Sequence, residues 1–236
     1  MIFKADLHTH SCLSPCGDLE MSPRSMAERA CQLGIHMLAL TDHNTAANCP
    51  AFDYWCRQLG LVPVFGIEVT TVEELHALVL YESLDEVQSM DDYLRPLYRS
   101  VPNQPEKWGD QVIVDYQDMI VGQIELHLTS GSSELGLTEL AALAVRTGGI
   151  CIPAHIDRAN SSIMSQLGAL PPGEFAALEV SRMPAPCETH GLTLICSSDA
   201  HYLDDLGRRT ISLEGDAVGF SALRRALEAG FVNCHI

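Results

Sequence analysis

The chain has 236 residues, 47% hydrophobic and 19% charged, a balance that fits one folded domain or two unequal lobes and excludes a disordered chain. Fourteen Lys and Arg face 31 Asp and Glu, a formal charge of -17, which disfavours a processive grip on long DNA or RNA but admits a small anionic substrate drawn in by local metal charge. The N-terminus has no signal-peptide core and no later segment has the apolar length to cross a bilayer, so a cytoplasmic protein with no membrane partner is expected.

The first apolar run, residues 2–8, predicts a strand. Ser22-Pro23 then supplies a cap and a first-turn proline for a helix over residues 24–34. Strands are expected at 36–41, 62–70 and 76–80. From about residue 84 to 136 the rhythm breaks. Pro96, Pro102 and Pro105, with Tyr93, Tyr98, Trp108 and Tyr116, predict a mostly helical insertion that either covers a site mouth or only packs on the surface. A helix over 138–147, strands at 149–154, 177–181 and 194–198, and a last helix over 221–229 complete the pattern. It is that of an α/β fold with parallel strands joined by crossover helices, a single domain over 1–236.

The nine cysteines, Cys12, Cys16, Cys31, Cys49, Cys56, Cys151, Cys187, Cys196 and Cys234, make no disulfide framework in a reducing compartment and contain no CxxC pair. Any metal must therefore be sought among His, Asp and Glu. Those residues fall where the expected strands end. His8 and His10 follow the first strand, Asp42 and His43 the second, and Glu68 ends the third. His76 opens the fourth, His155 follows the fifth, and Asp199 and His201 follow the last. A single His beside an apolar strand is more often a hydrogen-bonded structural residue than a ligand. Several at the C-terminal ends of barrel strands become neighbours on one face. Their imidazole and carboxylate groups suit zinc, iron or manganese rather than calcium, and there are too many for one cation.

In order, Asp6-Leu-His8-Thr-His10-Ser11, Thr41-Asp42-His43-Asn44, Gly66-Ile-Glu68-Val-Thr70, Pro153-Ala-His155 and Ser198-Asp199-Ala-His201 resemble the motifs of the polymerase and histidinol phosphatase (PHP) superfamily. The resemblance spans nearly the whole chain. It implies a distorted (β/α)7 barrel with two or three divalent ions, Mn, Fe or Zn. Carried over residue by residue, it implies His8, His10, Glu68 and Asp199 around one ion and Glu68, His76 and His155 around a second, with Glu68 bridging. A third would take His43, His201 and an acid from the loop after His10. Relatives commonly carry Ser-Asp-Gly there, whereas this chain reads Ser14-Pro15-Cys16-Gly17-Asp18. Asp18 aligns with the usual acid after a three-residue insertion, and Cys16 competes with it because a thiolate also binds transition metals.

The chemistry implied is hydrolysis of a small phosphate monoester, such as a nucleotide, a bisphosphorylated nucleotide or a sugar phosphate, by hydroxide formed from a metal-acidified water. Arg158, in His155-Ile-Asp-Arg158, stands close to where relatives carry His-Pro-x-Arg and is expected to hold a substrate phosphate; Arg182 is a second candidate. Asp42 reads either as a carboxylate that orients a ligand imidazole or a protonated leaving group, or as a loop cap. Asp6 reads similarly. His36 and His235 read as structural, while His127 and His190 match no motif. Two other readings stay open: amide or lactone hydrolysis, and a non-catalytic metal-binding module.

Overall fold

A computed structural model describes residues 1–99, 101–129 and 134–236. Strand β1 (Ile2–Asp6) lies parallel to β2 (Met37–Leu40), and β2 parallel to β3 (Val62–Thr70), with α1 (Pro23–Gln32) and α2 (Cys49–Leu59) as the two crossovers. Ser22 accepts a bond from the Ser25 N–H and Pro23 opens the first turn, so α1 begins where the sequence places it. The sequence reading did not include α2. It carries similar punctuation, with a proline in its first turn and Gly60 closing it in a left-handed conformation at φ 74°.

From β3 onward the expectation of parallel strands fails. β4 (His76–Tyr81) returns antiparallel to β3. Only residues 71–75 lie between them, and a parallel return needs a crossover of roughly a dozen residues or more. The segment read as an insertion contains α3 (Leu84–Leu94) and α4 (Pro105–Trp108), then a hairpin of β5 (Val112–Val114) and β6 (Ile120–Gln123). Ser83 and Glu86 form a reciprocal capping box at the start of α3.

After α5 (Leu137–Arg146), β7 (Ile150–Pro153) pairs antiparallel with β4. The short helix α6 (Ile163–Gln166) leads to a small parallel pair, β8 (Leu178–Glu179) and β9 (Leu194–Ile195). β10 (Thr210–Glu214) pairs antiparallel with β1, and helix α7 (Phe220–Ala229) leads to β11 (Val232–His235), antiparallel to β10. The result is an α/β fold around a curled mixed sheet of seven strands, ordered β11-β10-β1-β2-β3-β4-β7. β8 packs beside edge strand β7 and β9 beside edge strand β11, so the small pair spans the gap in a distorted barrel.

Alternation along the strands makes two apolar layers. In β4, Ala77, Val79 and Tyr81 face the helices, where Met26 of α1, Phe52 of α2 and Leu140 of α5 pack. Leu78 and Leu80 face inward with Val64, Ile152, Leu213 and Leu223 of α7. At about 1.5–3 kcal/mol per fully buried aliphatic side chain, these layers offset the cost of the polar residues buried at the strand ends. Gly66 serves the same packing: a Cβ there would lie 2.6 Å from Leu80 Cδ2 and 2.8 Å from Thr41 Cγ2. Among the described residues no helix is long and apolar enough to cross a membrane.

Candidate metal centre

The strand ends are tied to one another before any side chain is considered. His10 donates its main-chain N–H to Ala200 O at 3.0 Å, and Asp199 N–H reaches His8 O at 2.8 Å, joining the ends of β1 and β9. Glu68 N–H bonds Asp42 O at 3.1 Å and Asn44 N–H bonds Glu68 O at 2.9 Å, which seats the loop after β2 along β3. Asn44, His155 and Asp199 take positive φ of 54°, 29° and 52°. Such backbone in non-glycine residues is costly and clusters at functional sites.

These ties bring the side chains together. His8 Nε2 lies 3.1 Å from His10 Nε2, 3.3 Å from Glu68 Oε1 and 3.3 Å from Asp199 Oδ1. His10 Nε2 lies 3.2 Å from Glu68 Oε2 and 3.1 Å from Asp199 Oδ1. Glu68 also meets His43 Nδ1 at 3.0 Å, His76 Nδ1 at 2.9 Å and His155 Nε2 at 3.1 Å. One carboxylate thus stands among five imidazoles. Three groups of donor atoms converge tightly enough to share an ion: His8, His10, Glu68 and Asp199; His43, Glu68 and His76; and His10, His43 and His201.

Several neighbours hold these donors in place. His8 Nδ1–H donates to the Glu179 carboxylate, 3.0 Å from Oε2 and 3.3 Å from Oε1. His10 Nδ1 lies 3.1 Å from Ser14 Oγ, whose hydroxyl donates to Asp42 Oδ1 at 2.7 Å. Asp42 also accepts the Ser11 N–H at 2.7 Å and the Ser11 hydroxyl at 2.6 Å. It therefore fixes the loop and reaches His10 through Ser14. Asp6 accepts from Ser198 N–H and Gly207 N–H, both at 3.0 Å, fastening β1 to the loop that carries Asp199. His201 Nδ1–H bonds Asp199 O at 2.9 Å.

Burial opposes the charged form of His8 and of His10, but the surrounding carboxylates outweigh it. They lift His8 well above its ordinary value and His10 to about 9. Burial, with the charge of His10 adding to it, pushes His43 down to about 4 and His201 to about 3. Burial raises Asp6 to about 6 against its hydrogen bonds.

The donor set fits divalent cations. Four donors arranged tetrahedrally about 2.0–2.1 Å from an ion sit roughly 3.3 Å apart, and the His8, His10, Glu68 and Asp199 contacts above span 3.1–3.3 Å. Glu68 Oε2 and His43 Nδ1 are 3.0 Å apart, yet both are buried without a hydrogen-bond partner among the described residues. Two acceptor lone pairs aimed at a common third point satisfy both observations; a hydrogen bond between them does not. His155 Nδ1 is likewise buried and unpartnered.

Arg158 ion-pairs through Nη2 with Asp199 Oδ2, and it lines a cleft of about 310 Å³ with His76, His155 and Asn160. Asp157, beside it in sequence, instead accepts the main-chain N–H groups of Ser181 and Arg182 at 2.8 and 3.0 Å. The Arg182 side chain is exposed. Asp18 lies outside the converging donors. Its Oδ1 accepts the Glu20 N–H at 2.8 Å, and its N–H bonds His201 O at 2.9 Å, because the Ser14 to Asp18 loop folds as a tight turn. Cys16 is on the surface beside it, and burial on the inner side followed by Glu68 pushes its thiol up to about 12. His36 Nδ1 accepts the Lys4 N–H and His235 pairs with Ser212, both away from the cluster. His127 packs edge-on against Trp108, and His190 is exposed near Glu188. Glu179 is absent from the sequence reading. Its signal is an acid between Leu178 and Val180 in a strand whose residues are all buried.

The PHP domain family profile matches residues 6–171, about seven-tenths of the chain. The chain belongs to the PHP domain family. Its members' chemistry agrees with what the strand ends present, a cluster able to bind divalent metal, and it places this PHP chain among metal-dependent hydrolases. A relative from Acetivibrio thermocellus named "Probable phosphatase" is 25% identical over 219 residues, spanning 88% of this chain and 83% of the relative. The 5'-3' exoribonuclease of Haemophilus influenzae is 35% identical over 71 residues, 30% of this chain and 25% of that protein. In fold the chain is similar to the lesion-specific endonuclease Q of Pyrococcus furiosus, with a TM-score of 0.75 at 18% identity over 99% of this chain and 58% of the other. Endonuclease Q bound to a 27-mer duplex gives 0.71 at 18%, over 97% of this chain and 57% of that one.

These likenesses overturn the expectation that long nucleic acid is excluded. An exoribonuclease is similar in sequence to part of this chain, and an endonuclease bound to duplex is similar to it in fold. The charge argument was too strong because net charge does not fix the field at one cleft, where Arg158 and any bound cations would set the local sign.

Proposed function

We propose that this PHP chain hydrolyses a phosphate monoester carried by a nucleotide or a comparable small metabolite. The observation that carries the reading is the position of Arg158, whose guanidinium bridges from Asp199 of the donor cluster to the open cleft beside His76 and His155. A phosphoryl group entering that cleft meets a planar donor fork on one side and the donor cluster on the other. We assign His8, His10, Glu68, Asp199, His43, His76, His155 and His201 as the residues that would hold two or three ions of Mn, Fe or Zn. Asp18 remains a candidate for the third only if its turn opens.

Bound there, divalent cations supply an acidified water as nucleophile and positive charge against the phosphoryl oxygens. The chain's own residues do the rest. Glu68 shares its two oxygens between the groups of donors and keeps them in register. Ser14 and Asp42 hold His10 with Nε2 facing inward, and Arg158 orients the phosphate. The nine free cysteines suit a reducing compartment, so we place the reaction in the cytoplasm.

A second reading, favoured by the exoribonuclease and endonuclease Q likenesses, puts the scissile ester within a nucleic-acid strand. Anaerobic purification, metal analysis and a manganese-supplemented phosphate-release assay separate the two. The panel contains mononucleotides, bisphosphorylated nucleotides, sugar phosphates, single strands and a duplex with an abasic site. Phosphate release from small monoesters supports the first reading; strand cleavage without it supports the second. Inactivity on every phosphate ester by the fully metal-loaded protein overturns both and leaves amide or lactone hydrolysis or a non-catalytic metal-binding module.

A further inference from the structure

From the geometry around β8 we infer that Glu179 is a positioning residue that clamps two walls of the metal centre at once and sets the tautomer of His8. The inference rests on the metal-centre reading and concerns a residue that touches no cluster donor atom other than through His8. Glu179 is 2% exposed and sits on the short strand between Leu178 and Val180, both buried. Its Oε2 accepts His8 Nδ1–H at 3.0 Å and the main-chain N–H of His155 at 2.9 Å. Its main-chain O accepts the Ile156 N–H at 2.9 Å. One residue therefore fastens the end of β1 to the end of β7.

Two consequences follow from these bonds. A carboxylate on Nδ1 fixes the Nδ1–H tautomer, so the Nε2 lone pair faces Glu68, Asp199 and His10 and is more basic than in an unpartnered imidazole. The bond to the His155 N–H holds that residue at φ 29°, a conformation a non-glycine residue adopts only when its surroundings impose it. Asp42 supports His10 by a longer route, through Ser14. Among the described residues Glu179 alone places a carboxylate directly on the imidazole nitrogen of a cluster histidine that faces away from the shared centre.

The test uses zinc, which is diamagnetic and gives a readout apart from turnover. Wild type, Glu179→Ala and Glu179→Gln are compared for zinc affinity by competition with a chromogenic chelator, and for the His8 Nδ1–H signal in long-range proton–nitrogen spectra of the zinc-loaded proteins. Removal of a partner of this kind typically costs about 10–100-fold in metal affinity. We expect a loss of that size for Glu179→Ala, with the His8 Nδ1–H signal gone. Glu179→Gln keeps one oxygen able to accept both N–H groups while losing the charge, and should retain the signal with a loss under about tenfold. Zinc affinity and a His8 signal matching wild type in Glu179→Ala would overturn the inference. If that variant does not fold, Glu179→Gln decides: a lost Nδ1–H signal in the folded protein overturns the assignment, a retained signal with weakened binding supports it. Failure of wild type to bind zinc would instead sink the metal-centre reading itself.

Discussion

The two sides of the donor cluster are built differently. On one side His8 and His10 are fully buried, and each has its remaining nitrogen held, by Glu179 directly and by Asp42 through Ser14; Asp199 is held by Arg158. On the other side His76 and His201 have side chains 15% and 22% exposed, and His43 Nδ1 has no hydrogen-bond partner among the described residues. The first side is held by side chains of the protein; on the second His201 is held through a main-chain oxygen, Asp199 O, and more is left for the ions to organise. Pre-formed donors avoid the ordering cost that loosely held donors must meet on binding, so the two sides should differ in affinity. Glu68 and His10 are common to both, Glu68 joining His43 and His76 and His10 joining His43 and His201.

Glu68→Ala therefore gives the largest effect, because it removes the shared carboxylate. Losing several kcal/mol of charge stabilisation corresponds to about a thousandfold in rate, and metal content should fall at both sides together. Elemental analysis of the purified variant beside its kcat/KM checks this. Loss of ions from one side alone would deny that Glu68 is shared.

Graded chelation should then split the cluster. Ions bound by His43, His76 and His201 should leave at lower chelator concentration than the ion among His8, His10, Glu68 and Asp199, separated by roughly tenfold or more in apparent affinity. Metal content against chelator concentration should show two steps, and His76→Ala should remove the weaker one. A single step lost as a unit would mean the two sides are equally organised and the contrast above is wrong.

The same contrast explains what the sequence disclosed. His8, His10, His43, His155, Asp199 and His201 stood out as metal candidates because each is a polar residue beside an apolar run and lies in a motif that resembles those of the PHP family. Glu68 and His76 were legible as metal candidates, although their strands are antiparallel, and that pairing was readable too: residues 71–75 are too few for a crossover. Glu179 was not singled out, since in the strand expected over 177–181 it alternates with Leu178 and Val180 and so looks like a solvent-facing position until both faces are seen to be buried. β10 and β11 were missed because short alternating runs such as Thr210–Glu214 and Val232–His235 resemble loops in composition. The hairpin of β5 and β6 was hidden in a proline-rich stretch that read as helical.

Arg158→Ala is the next prediction in size. The side chain is 36% exposed, which weakens its charge interactions. Loss of a partly screened guanidinium should raise KM for a phosphorylated substrate about tenfold, with kcat less affected and the strongly held ion retained. Steady-state kinetics beside metal analysis separates these. A fall in metal content with KM unchanged would make Arg158 a support for Asp199 and not a phosphate contact.

The smallest expected effect is on the stability of the metal-free protein as pH changes, and it isolates the organised side. His8 is raised well above its ordinary value and His10 to about 9 by the carboxylates around them, against burial. A histidine whose folded pKa lies above its unfolded value of about 6.5 contributes stability that is complete below that value and disappears as pH rises through the folded one. His43 and His201, lowered to about 4 and 3, have the opposite sign: they add stability as pH rises until their unfolded forms have deprotonated, about one unit above 6.5, and contribute no slope beyond that. The apoprotein should therefore lose thermal stability between about pH 7.5 and 9, by roughly a few degrees in Tm for a chain of this size. Zinc loading should reverse the trend, since metal replaces the same protons and binds better as they leave. Parallel melts of chelated and zinc-loaded protein at several pH values measure both slopes. A chelated protein whose Tm is flat or rising over that interval would mean that His8 and His10 do not retain protons there, and that side of the cluster would be organised by hydrogen bonds to neutral imidazoles instead of by charge.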